Sequence, residues 1–130
     1  MATPLLSIVI VAFDMPREIP RTVLSLSPSM QRDVAVDDYE IIVVDSGSSR
    51  PFDEAECLAT GANVRFERVV PEAPSPCRAI NRGLEVARGE LIGVMIDGAR
   101  LASPGIVANV IVSAISTASA RAFGPRTAIA

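Results

Sequence analysis

This chain contains no lysine, no histidine and no tryptophan, and all 12 of its cations are arginine. Without lysine there is no P-loop lysine and no Schiff-base amine. Without histidine there is no Ser-His or Cys-His dyad and no histidine-ligated zinc. The 2 cysteines, Cys57 and Cys77, form neither a CxxC pair nor a zinc-ligand set. They read as reduced thiols of a cytoplasmic protein, with Cys77 expected to face the core. Long apolar runs are also lacking. Leu5 to Phe13 has no basic segment before it and no small-residue cleavage site after it, so it reads as a strand. From Leu101 to Phe123, Pro104, Gly105, Asn109 and several Ser and Thr residues interrupt the pattern. No run there reaches the ~18 apolar residues a transmembrane segment needs, and the stretch reads as a core helix. The formal charge of −3 and pI near 4.9 supply no basic face for nucleic acid.

What is present fits one domain over residues 1–130, with 49% hydrophobic residues to build its core. Ser7 to Phe13 is a short Val/Ile-rich run, the mark of a buried strand. A helix is expected from about Arg17 to Leu26, with Pro20 tolerated in its first turn. Residues 31–38 read as a loop, Glu40 to Val44 as a second strand, Phe52 to Thr60 as a short helix and Val64 to Val69 as a third strand. Three prolines make 71–76 a loop. The next helix, 76–88, has Ser75 as N-cap and Pro76 at its first position. Its expected core stripe is Cys77, Ile80, Leu84 and Ala87, and Gly89 is its expected C-cap. Leu91 to Ile96 is a fourth strand, and a last helix starts at Ser103-Pro104 and runs to about Ala120. Strands alternating with helices specify an α/β fold with a mainly parallel sheet and right-handed crossovers.

Two of these strands end on a carboxylate followed by turn residues: Asp45-Ser46-Gly47 and Asp97-Gly98-Ala99. Open α/β sheets bind ligands at that carboxyl edge. A carboxylate there suits a ligand that carries hydroxyl groups, a base N–H or a metal. The dinucleotide fingerprint is missing, since no G-x-G-x-x-G follows the first strand. Asp45 and Asp97 also have a plainer role open to them, capping turns or helix starts. Phe13 suits the core as well as a base platform, and Arg100 suits the solvent.

The chain resembles the family 2 glycosyltransferases. The segments that carry the resemblance are Ala12-Phe13-Asp14, the strand Glu40-Ile-Ile-Val-Val-Asp45-Ser-Gly-Ser48, the helix Ala79-Ile-Asn-Arg-Gly-Leu-Glu-Val-Ala-Arg-Gly-Glu-Leu-Ile92, Asp97-Gly98-Ala99, and Leu101-Ala-Ser-Pro104. They stand in the family's order over residues 5–107. The resemblance implies a Rossmann-like three-layer sandwich of GT-A (nucleotide-diphospho-sugar transferase) type, with strands in spatial order 3-2-1-4. It implies a nucleotide-sugar donor as partner and names Ala12, Phe13, Asp14, Asp45, Ser46, Asn81, Asp97 and Gly98 as its binding residues. Asp45 would accept from the base, Phe13 would pack near it, and Asp97 would touch the ribose or the metal shell.

Such proteins hold a divalent cation, Mn²⁺ or Mg²⁺, against the donor diphosphate. Here Asp97 is the one candidate metal ligand, because Ala99 stands where the second acid of the D-x-D motif is expected. Ser46 replaces the second Asp of the family's "VDDGS", Ile80 replaces an Arg, and Arg100 follows where many members have an acid. The family's acceptor site and general base belong to a C-terminal part beyond these 130 residues. No catalytic residue is therefore assigned. The expected function is the donor side of glycosyl transfer. A nucleotide-sugar-binding module without turnover is the alternative. An unrelated receiver-like domain is disfavoured, since no acidic pair follows the first strand and no lysine exists. Apolar surface near the last helix suggests a homodimer.

Overall fold

The computed structural model describes residues 3–119 and 127–129. The Val/Ile-rich run forms β1 (Leu6–Ala12), buried at every position. β1 pairs in parallel with β2 (Tyr39–Ser46) on one side and β4 (Leu91–Met95) on the other. β3 (Val64–Val69) pairs with β2, and β5 (Thr127–Ile129) with β4, both also parallel. The sheet order is β3-β2-β1-β4-β5. The expected order 3-2-1-4 is thus present with one more strand on its β4 side. The sequence reading had no strand at 127–129. The expected end of the last helix at Ala120 lies outside the described residues.

Alternation along β1 and β2 divides the core between two faces. Ile8, Ile10, Ile41 and Val43 pack with Ile19 and Val23 of α1 (Glu18–Ser25), and with Val107 and Ile111 of α4 (Ile106–Ser119). Cys57 of the short α2 (Glu54–Leu58) belongs to this face too. Val9, Val11, Ile42 and Val44 pack on the opposite face with Ala79 and Ala87, at α3 (Cys77–Val86) and its C-terminal end. The result is three layers, helix, sheet and helix, as a parallel sheet covered on both faces requires.

Three helix expectations need correction. Cys77 is exposed; the buried positions of α3 are Ala79 and Gly83, flanked by half-buried Ile80 and Leu84. The reason is steric. A Cβ on Gly83 would sit 2.3 Å from Cγ1 of Val9, so α3 lies against the branched strand residues through its smallest side chains. The helix also ends at Val86, with Ala87 already extended. Gly89 is therefore not its cap. It lies against β1, where a Cβ would come within 2.6 Å of the Ser7 backbone nitrogen. Phe52 likewise stands outside α2, which Asp53 caps by accepting from the Ala55 N–H at 2.9 Å.

At the amino edge of the sheet a buried carboxylate ties three segments together. Glu40 accepts from Ser7 Oγ at 2.6 Å, from the Arg88 N–H at 2.7 Å and from Arg65 Nη2 at 2.8 Å. Ser7 Oγ in turn accepts from the Gly89 N–H at 2.8 Å. This cluster fixes the start of β1 and β2 and the turn into β4, and thereby the register that sets the opposite edge.

Candidate functional site

All four long strands point the same way, so the ends of β1, β2 and β4 share one edge. In register, Ala12 lies opposite Asp45, and Ile10 opposite Met95 two residues before Asp97. The Asp45 and Asp97 positions flank β1, two strand spacings or about 10 Å apart across the sheet. Ala12 is buried as the last residue of β1, and Ser46 as the last of β2. Phe13, the next residue after β1, is 55% exposed, so it is not a core residue.

Asp14 and Asp45 are joined through one serine. The Asp14 N–H donates to Ser48 Oγ at 2.9 Å, and the Ser48 hydroxyl donates to Asp45 Oδ1. The Ser48 N–H donates to the same oxygen at 3.2 Å. Asp14 adopts φ 50°, a conformation that Asp tolerates better than most residues. Its Oδ1 accepts from the N–H groups of Ser49 at 2.8 Å and Arg50 at 2.9 Å. The Arg50 N–H foremost, and then the N–H and hydroxyl of Ser49, hold the Asp14 carboxyl below the usual carboxylate range against the opposing effect of burial. Asp14 is committed to shaping this loop.

Asp45 is buried at 5% exposure, and its Oδ2 lies 3.5 Å from Arg68 Nε. Beside it opens a cavity of ≈ 150 Å³ lined by Asp45, Phe52, Phe66, Glu67 and Arg68, among others. The two rings sit with centroids 5.7 Å apart. Sequence reasoning missed Phe52, Phe66 and Arg68. In the sequence Phe52 falls in the helix expected over 52–60, and Phe66 and Arg68 fall in the strand expected over 64–69. A signal was present for Arg68, because a cation near the end of a parallel strand lies at the ligand edge.

Across β1, the segment after β4 is held by α1. Thr22 Oγ1 donates to the Gly98 carbonyl at 2.6 Å, and the Ala102 N–H donates to Ser25 Oγ at 2.9 Å. Gly98 is buried so tightly that a Cβ would meet Ile19 Cδ1 at 2.6 Å and the Val11 carbonyl oxygen at 2.7 Å. Asp97 itself is exposed. Its Oδ1 accepts from the Ala99 N–H at 3.0 Å and its Oδ2 from Arg100 Nε at 3.3 Å. Asn81 is exposed in the second turn of α3, and among the described residues no hydrogen bond links it to this edge.

The fit to a divalent cation is poor. A hard cation takes six or more oxygens, and Mg²⁺ needs at least one or two free carboxylates. Asp97 already serves an N–H and a guanidinium, Ala99 offers a methyl group, and among the described residues no group of three His, Cys, Asp or Glu could hold a metal.

An α/β sheet wound on both faces, with carboxylates and a ring-lined cavity at its carboxyl edge, defines a Rossmann-like three-layer domain with a candidate ligand edge. The particular family follows from the sequence. Residues 7–97 match the model of glycosyl transferase family 2, and the chain belongs to that family. No curated protein sequence matches it. Among solved structures it is similar to S. aureus TarS in complex with UDP, with 19% identity and a TM-score of 0.70 over 88% of this chain and 32% of that one. A second S. aureus TarS structure gives 18% identity and a TM-score of 0.66 over 88% of this chain and 32% of that one. These likenesses establish the GT-A fold. The chain spans about a third of the length of either structure. Among the described residues no helix is long and apolar enough to cross a membrane.

Proposed function

We propose that this domain binds a nucleotide-diphosphate sugar at its carboxyl edge and forms the donor side of a glycosyl transfer. The observation that carries the reading is the Asp45 corner. A buried carboxylate with one oxygen fixed by Ser48 stands at a cavity between Phe52, Phe66 and Arg68. A nucleobase offers ring N–H donors to such an oxygen and a flat apolar face to such rings. Phe13 and the Asp97–Arg100 turn then flank the path from the base toward the sugar. The UDP complex of TarS, a protein with this fold, supports a nucleotide as the ligand.

Calorimetric titration with UDP, GDP and dTDP tests the reading. Saturable binding of one of them, weakened about tenfold or more by Asp45→Asn, is the expected result. Asn preserves the shape and can still accept from Ser48, so the loss reports the charge. No binding of any nucleotide would refute the reading.

A binding module without turnover is the second reading. It is favoured by Ala99 and by the engagement of both Asp97 oxygens. Two free cysteines, one buried and one exposed, fit a reducing cytoplasm. Exposed Ile96, Leu101, Ile106, Val112 and Ile115 favour self-association into a homodimer.

A further inference from the structure

We infer that Arg100 takes the place of a divalent cation at this edge, so that the donor's diphosphate is neutralised by a guanidinium. The inference rests on the nucleotide-sugar reading. It goes beyond it by assigning the charge that the diphosphate requires.

Three observations carry it. The acidic set is unfit for a metal, as described above. The cation that replaces it follows three residues after Asp97 and is oriented by it. Arg100 Nε donates to Asp97 Oδ2 at 3.3 Å, which spends one donor of the guanidinium. Among the described residues no hydrogen bond engages its two terminal nitrogens, which can donate to another partner. An Arg fork matches phosphate oxygens in a bidentate way that a point charge does not.

The backbone beneath Arg100 is also held in place. Gly98 is pinned through its carbonyl to Thr22, and Ala102 through its N–H to Ser25, so both flanks of the turn are anchored to α1. Little backbone freedom remains to be lost when an anion binds. The side chain itself is 75% exposed and so accessible to a ligand. The Asp97 position lies about 10 Å from the Asp45 corner across β1, by strand spacing, and Arg100 follows in the turn beyond it. That separation corresponds to the reach from a base to the second phosphate in an extended nucleoside diphosphate.

The alternative role for Arg100 is an ordinary surface ion pair, and such pairs contribute little. The two roles differ in what they do to ligands. The test uses the 130-residue chain and compares each nucleoside diphosphate (UDP, GDP, dTDP) with its parent nucleoside, in EDTA and in Mn²⁺. The expected result is equal diphosphate affinity in both conditions. Arg100→Ala should lose roughly 10- to 100-fold in diphosphate affinity and leave the nucleoside unchanged. Arg100→Lys should restore part of the loss. Ala99→Asp combined with Arg100→Ala should restore binding only when Mn²⁺ is present. Diphosphate binding that needs Mn²⁺ in the wild type, or that ignores Arg100→Ala, would overturn this inference while leaving the nucleotide reading intact. Absence of binding by both nucleosides and diphosphates would overturn both.

Discussion

Replacing Glu40 by Ala tests whether the amino edge holds the strands in the register that builds the site. Glu40 is 2% exposed and serves four donors, namely Ser7 Oγ, the Arg88 N–H, and Nε and Nη2 of Arg65. Removing one partner of a buried pair costs about 3–5 kcal/mol, because the other groups stay behind without their acceptor. Arg65 is 27% exposed and keeps its bond to the Val86 carbonyl, so part of its charge is returned to water. The serine hydroxyl, whose bond is buried, has no such route. The lower part of the range, about 3 kcal/mol, is therefore expected, a large share of the 5–15 kcal/mol typical of a domain. Urea unfolding followed by circular dichroism measures it.

The pH dependence supplies an independent sign. Burial raises the Glu40 carboxyl, but the bonds from Ser7, Arg88 and Arg65 together outweigh it and leave the group below its ordinary value of 4.5. A depressed carboxyl stabilises the fold above its unfolded value, and the contribution is lost as pH falls through the folded value. Wild-type stability should fall below about pH 4.5, and Glu40→Gln should flatten that part of the curve. A loss under 1 kcal/mol for Glu40→Ala, with an unchanged acid limb for Glu40→Gln, would refute the reasoning.

Gly83→Ala should destabilise by about 1–3 kcal/mol through overpacking, less about 1 kcal/mol of helix propensity gained, because the new Cβ meets the stiff, fully buried Val9. Thermal unfolding reads the difference, and Val9→Ala in the same background should recover part of it. Of the two thiols, Cys77 should react at once with a disulfide reagent and Cys57 only on unfolding. Burial, aided by Glu56, Asp53 and Glu54, pushes the Cys57 thiol up to about 12. Two fast thiols in the native protein would contradict the placement of Cys57 in the core.

The strand ladder was legible because Val/Ile runs closed by turn residues have few other readings. The carboxyl edge followed from where Asp45 and Asp97 fall in those runs. The face of α3 was misread because hydrophobicity ranked Cys77 above Gly83, whereas the branched residues of β1 demand the smallest side chain at the contact. Local spacing makes Gly89 resemble a cap, but its role is a contact with β1, far away in sequence. Phe52, Phe66 and Arg68 escaped notice for the same reason: the cavity at Asp45 draws them from two separate segments. Asp14 could be singled out by motif, yet only the folded chain shows it occupied by the N–H groups of Ser49 and Arg50. β5 is three residues long and carries too little pattern to register.

The most direct test of the central claim is where a bound nucleotide perturbs the protein. In a ¹⁵N-labelled chain titrated with the best-binding nucleoside diphosphate, amide shifts should concentrate at Phe13, Asp45 to Arg50, Arg68 and Asp97 to Arg100. The amino-edge amides of Ser7, Glu40 and Gly89 should stay still. Shifts centred on the amino edge, or on the outer face of α3 around Asn81, would contradict it.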